Sequence, residues 1–251
     1  MNQQQEIDPG ERTQRGIYLL PNLLTTAAFF AGFYSIVSSM TGHFESSAIA
    51  IFIAMIADTL DGRVARLTNT QSAFGAQYDS LSDMASFGLA PALLAYSWSL
   101  SSLGKIGWLV AFIYAAATAL RLARFNTQVS DDKHYFQGLP SPAAAAALVS
   151  AVWIGSSYEM NGAMLAIPLA VLTLLAGSLM VSTIRYSSFK SVDFKGRVPF
   201  FTIVLAVFIL TGIALEPPEI LFAVFFCYAA SGPIITLWQI RKMRRLRKKS
   251  H

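Results

Sequence analysis

Four aspartates, Asp58, Asp61, Asp79 and Asp83, fall within the stretch ADTLDGRVARLTNTQSAFGAQYDSLSDMASFG, residues 57 to 88. Asp58 and Asp61 are three residues apart and Asp79 and Asp83 four apart, so on helices each pair shares one face, one turn apart. The polar link TNTQSAFG lets the two helices run antiparallel, which brings both pairs to the same end of the hairpin. No matching set of bases lies on these faces, and clustered carboxylate oxygen suits a hard divalent cation, Mg²⁺ or Mn²⁺, as one ion or two. Gly62, Ala65 and Gly75 are small and clear space where a bulky ligand can approach the backbone. Arg66 is placed to grip phosphate with its planar fork. Metal, arginine and cleared space together describe a nucleotide or pyrophosphate site, in which divalent ions offset charge on a transferring phosphoryl group.

The elements that must position these acids are apolar. The chain of 251 residues is 54% hydrophobic and 13% charged, with a mean hydropathy of +0.50, a balance that excludes an ordinary soluble domain. A bilayer core takes about 20 apolar residues per helix, and eight segments qualify, near 17–40, 47–67, 78–100, 106–126, 141–157, 162–183, 198–214 and 218–239. The expected fold is therefore all-α, a polytopic transmembrane bundle of about eight helices. The fifth segment, PAAAAALVSAVWIG, is Ala-rich and suits close packing against neighbours. Residues 1–16 read as a polar N-terminal segment rather than a secretory leader, 17–239 as the membrane domain and 240–251 as a basic tail. One cysteine, Cys227, leaves no intramolecular disulfide to form.

Basic residues orient the bundle. With eight spans, the side that carries both termini and the even-numbered loops receives eighteen of the nineteen Lys and Arg residues, all but Lys105. By the positive-inside rule, both termini are expected in the cytoplasm of a multi-pass inner-membrane protein. Most of the +5 net charge lies in RKMRRLRKKS, directly after a membrane segment, where it reads as an anchor to anionic headgroups of membrane lipids and not as a nucleic-acid surface. A carboxylate in hydrocarbon costs at least about 2.5–3.5 kcal/mol, so four held together need a compensating partner.

The motif DxxDGxxARx8Gx3Dx3D, met without deviation by Asp58, Asp61, Gly62, Ala65, Arg66, Gly75, Asp79 and Asp83, resembles that of the CDP-alcohol phosphotransferase family of integral membrane enzymes. The resemblance implies a six-helix core with a site open to the cytoplasmic interface and displacement of CMP from a CDP-linked lipid by an alcohol. It carries a dinuclear metal site to Asp58, Asp61, Asp79 and Asp83, the role of general base to Asp83, and a CDP site to Gly62, Ala65, Arg66 and Gly75. It also implies a homodimer.

Residues 16–36, RLARFN at 121–126, YFQGLPSPAAA at 135–145 and LMVSTIRYSSFK at 179–190 resemble the serine-transferring bacterial members of this family, over nearly the whole chain. The implied donor is CDP-diacylglycerol and the implied acceptor L-serine. A serine site needs a cation for the carboxylate, and Arg121, Arg124, Arg185 and Lys190 are the candidates on the cytoplasmic side, where each also suits positive-inside anchoring. Asn22 and Asn126 are candidate hydrogen-bond donors to substrate that suit helix capping or bridging equally well. GLPSP reads as the turn that starts the fifth helix, stiffened by Pro142, and His134 as a solvated loop residue. Two other readings share part of this pattern. The same machinery could act on glycerol 3-phosphate or inositol phosphate, whose phosphates call for extra cations. A cation transporter would also place acids at membrane depth, but it expects paired broken helices in two matching halves and leaves the Gly and Arg positions without a purpose.

Overall fold

The computed structural model describes residues 9–127, 135–187 and 200–249. Its helices follow the hydropathy pattern: α1 (Pro9–Met40), α2 (Phe44–Leu67), α3 (Ala73–Asp83), α4 (Ala90–Trp98), α5 (Lys105–Thr127), α6 (Ser141–Ser157), α7 (Ala166–Val181), α8 (Phe200–Leu215) and α9 (Pro217–Lys249). A π-helical turn, Met84–Leu89, joins α3 to α4, so residues 73–98 form one continuous helix where the third span was expected. That helix begins at Ala73 rather than 78 because Ser72 caps it, its side chain accepting from the Gly75 N–H at 3.0 Å. α9 runs on through most of the basic tail, to Lys249. Leu20–Met40, Lys105–Thr127 and Pro217–Thr236 are each long and apolar enough to cross a membrane, and α6 and α7 are shorter apolar helices. The charged residues Asp58, Asp61, Arg63 and Arg66 all fall in the C-terminal half of α2.

α1 and α2 make the most extensive helix pairing, and α6 lies among α2, α4, α7 and α9. The Ala-rich run that begins α6 is buried from Ala143 to Ala147, so its backbone meets its neighbours closely on several sides. Gly155 of α6 is required by the Trp98 ring, which occupies the space a Cβ would need. Large apolar side chains such as Phe30, Ile56, Phe112, Leu175 and Phe208 cover the outer surface, as a lipid solvent favours.

Two three-residue strands, β1 (Tyr135–Gln137) and β2 (Arg185–Ser187), pair antiparallel, β1 just before the start of α6 and β2 just after the end of α7. Gly138, at φ 78°, turns the chain from β1 into α6, and a Cβ there would strike the Met180 carbonyl. Its N–H donates to Ile184 O at 2.9 Å, and Leu139 N–H donates to Leu179 O at 3.0 Å. GLPSP is thus a helix-start turn, with Pro142 in the first turn of α6, and it holds Ser141 in place at the end of the bundle.

Candidate active site

The acidic hairpin closes as the spacing requires. α2 ends at Leu67 with Thr68 as its C-cap, and Asn69 follows in the left-handed region at φ 52°, a conformation that asparagine tolerates better than most residues. Thr70 N–H returns to Ala65 O at 3.0 Å, and the chain then reverses into α3. Ligand oxygens of Asp58, Asp61 and Asp79 all lie within 4.8 Å of one another. Asp83 joins this group through Asp58, whose carboxylate lies next to those of both Asp83 and Asp79.

The donor set fits a divalent ion on an observation of its own. Asp79 Oδ1 and Asp83 Oδ1 are buried without a hydrogen-bond partner, a costly arrangement unless a cation takes up those lone pairs. Asp61, the most buried of the four, is oriented by α1: Thr25 Oγ1 donates to Asp61 Oδ2 at 2.7 Å. Ser82 of α3 donates to Thr25 O at 3.2 Å, which ties the third helix to the same turn of α1.

Beside the acids lies a cavity of about 250 Å³ lined by Asn22, Asp61, Gly62, Ala65, Arg66, Gly75 and Asp79, among others. All four residues expected to line the CDP site therefore meet at one cavity, and Asn22 joins them. A Cβ at Gly62 would point into open space, whereas one at Gly75 would sit 3.2 Å from Ser72 Oγ and 3.5 Å from Asn22 Oδ1. Gly62 keeps the cavity clear, and Gly75 lets α3 approach α1. Arg66 stands exposed at the rim, where its guanidinium is free to turn toward an incoming phosphate.

The acceptor candidates separate. Arg121 is half-buried on α5; its Nη1 donates to Ser141 Oγ at 2.9 Å, its Nε is buried without a partner, and Asp83 is the acid whose charge reaches it. Arg124, three residues on, donates to Val181 O at 2.9 Å and so pins the end of α7. Asn126 donates to Ser80 Oγ at 2.9 Å and bridges α5 to α3. Arg185 sits in β2, while Lys190 and His134 lie outside the described residues.

Thr25, Ser141 and the cavity residues Thr70, Gln71 and Ser72 were not singled out from the sequence. Their signal is weak because small polar residues are frequent in the link and at helix starts, and the fold alone shows that Thr25 meets Asp61 and that Thr70, Gln71 and Ser72 line the cavity.

An α-helical membrane bundle that gathers four carboxylates beside a cavity lined by small residues and an arginine has the make-up of a metal-assisted phosphotransferase of the lipid bilayer. The chain belongs to the CDP-alcohol phosphatidyltransferase family, whose sequence model matches residues 18–174. A relative in Helicobacter pylori strain 26695, named CDP-diacylglycerol–serine O-phosphatidyltransferase, is 38% identical over 229 residues, which cover 90% of this chain and 94% of the relative. A protein of the same name in Methanocaldococcus jannaschii is 37% identical over 67% of this chain and 77% of its own. An archaetidylserine synthase of Methanothermobacter thermautotrophicus is 37% identical over 66% of this chain and 69% of its own.

Proposed function

We propose that this protein makes phosphatidylserine and CMP from CDP-diacylglycerol and L-serine. The observation that carries the reading is the cluster of Asp58, Asp61, Asp79 and Asp83 beside a cavity lined by two of them, Asp61 and Asp79, together with Gly62, Ala65, Arg66 and Gly75. The names of the relatives favour serine as acceptor. Asp58, Asp61, Asp79 and Asp83 would hold the divalent metal, Mn²⁺ or Mg²⁺, which when bound offsets negative charge on the phosphoryl oxygens.

The cytidine diphosphate occupies the cavity, with Gly62 leaving room for it and Arg66 reaching its phosphate from the rim. Asp83 takes the proton of the serine hydroxyl as that oxygen forms its bond to the lipid-bearing phosphorus. The bond from this phosphorus to the bridging oxygen breaks, and CMP leaves with the bonding pair. Arg121, a cation at membrane depth with a free Nε beside Asp83 and Ser141, is the group that holds the serine carboxylate. Arg124 serves the fold instead, through Val181. The site opens to the cytoplasm, where serine and CMP are exchanged, and both termini lie on that side of the inner membrane.

The test is CMP release by purified protein in detergent with CDP-diacylglycerol and Mn²⁺, comparing L-serine, glycerol 3-phosphate, inositol phosphate and no acceptor. Serine-dependent release with phosphatidylserine as product is expected. Release with a phosphorylated acceptor alone would refute the serine assignment and leave the aspartate site standing, while no release with any acceptor would return the acidic hairpin to an ion-transport reading.

A further inference from the structure

The helix of residues 73–98 changes from α to π geometry directly after Asp83, and the sequence supplies the cause. In an α-helix the Phe87 carbonyl would accept from the N–H of residue 91, but residue 91 is proline, which has no N–H and whose ring presses on the carbonyl four residues back. The turn widens to i→i+5 bonding, with Ala90 N–H donating to Ala85 O. A donor from another helix then takes up the Phe87 carbonyl: Tyr114 Oη of α5 donates to Phe87 O at 3.2 Å, with both side chains fully buried.

Two further contacts clamp the wide turn. Ser86 Oγ donates to Ala28 O at 3.1 Å, and Gly32 of α1 lacks a Cβ where Ser86 presses against it. Gly88 lies where a Cβ would come within 3.2 Å of Thr118, a residue on the same face of α5 as Tyr114. A π turn inserts in effect one extra residue, and one residue of helix is about 100° of rotation. α4 is fixed by its buried Leu94 and Ala95, so the wide turn sets the direction in which Asp79 and Asp83 project toward Asp58.

We infer that Pro91 and Tyr114 are positioning residues for Asp83: the proline opens the turn, the tyrosine hydroxyl holds it open, and the general base is thereby aimed at the site. This rests on the reading of Asp83 as the base of the serine transfer. The variants P91A and Y114F separate aim from stability, because P91A restores the missing N–H and lets the turn close as ordinary α-helix. Each is compared with the parent and with S47A, which removes a buried hydroxyl bonded to Ser35 O at 2.9 Å far from the acids.

P91A is expected to melt at or above the parent temperature, yet with kcat for serine-dependent CMP release about tenfold or more lower and KM for CDP-diacylglycerol within about twofold. Y114F should show the same split between kcat and KM, and S47A should lose stability with kcat unchanged. P91A and Y114F that both keep kcat within about twofold of an active parent would overturn the inference, as would a kcat loss that appears equally in S47A. A parent inactive with every acceptor would instead overturn the reading of function on which it rests.

Discussion

Replacing Thr25 with valine removes one hydroxyl and keeps nearly the same shape. In the folded protein that hydroxyl donates to Asp61 Oδ2 at 2.7 Å in a buried setting, and Asp61 belongs to the trio whose oxygens lie within 4.8 Å of one another. A hydrogen bond to a charged group contributes about 1.5–3 kcal/mol, which corresponds to roughly 10- to 150-fold in an equilibrium constant. Groups that orient a metal ligand from behind show losses of about 10–100-fold in metal affinity when removed. T25V is therefore expected to raise the Mn²⁺ concentration for half-maximal CMP release by at least about tenfold. The assay titrates Mn²⁺ at saturating CDP-diacylglycerol and serine, and measures Mn²⁺ binding directly by the loss of the free-ion electron paramagnetic resonance signal. T25S restores the donor and should restore the parent titration. Unchanged half-saturation in T25V, by activity and by binding alike, would refute the reasoning that Asp61 is a ligand held by Thr25.

Other perturbations address the remaining parts of the site. D83N should lower kcat at least about 100-fold, while the protein still binds CDP-diacylglycerol as judged by protection from thermal unfolding; full turnover would remove Asp83 from its assigned role. G62L places a side chain into the cavity of about 250 Å³ and should raise KM for CDP-diacylglycerol without lowering the melting temperature, because nothing lies within 4 Å of its Cβ position. R121K should raise KM for serine by about tenfold or more through loss of the forked donor, whereas R124M should lower the melting temperature and leave KM for serine unchanged; the reverse pattern would exchange the two assignments. Chelation with EDTA should abolish CMP release, and Mn²⁺ or Mg²⁺ added in excess should restore it.

The helices and the acid pairs follow from local sequence. Bilayer hydropathy acts on each segment separately, so apolar runs of membrane-spanning length became helices near where they were expected, and the spacings of three and four put Asp58 with Asp61 and Asp79 with Asp83 whatever lay around them. The motif residues Gly62, Ala65, Arg66 and Gly75 were legible for the same reason, since the link between α2 and α3 is too short to bring them anywhere but to one cavity.

What meets the acids from outside the hairpin depends on how the helices pack. Thr25 is 36 residues from Asp61 and one of several hydroxyls on α1, and its selection depends on how α1 crosses α2. Arg121 and Arg124 are chemically alike and less than one turn apart, and the packing of α5 turns one toward Asp83 and Ser141 and the other to the end of α7. The widened turn after Asp83 has a local cause in Pro91, but its partner Tyr114 lies 27 residues from Phe87, on another helix. Side-chain periodicity states which residues share a face; the rotation of each helix about its axis, set by contacts with its neighbours, determines which faces meet.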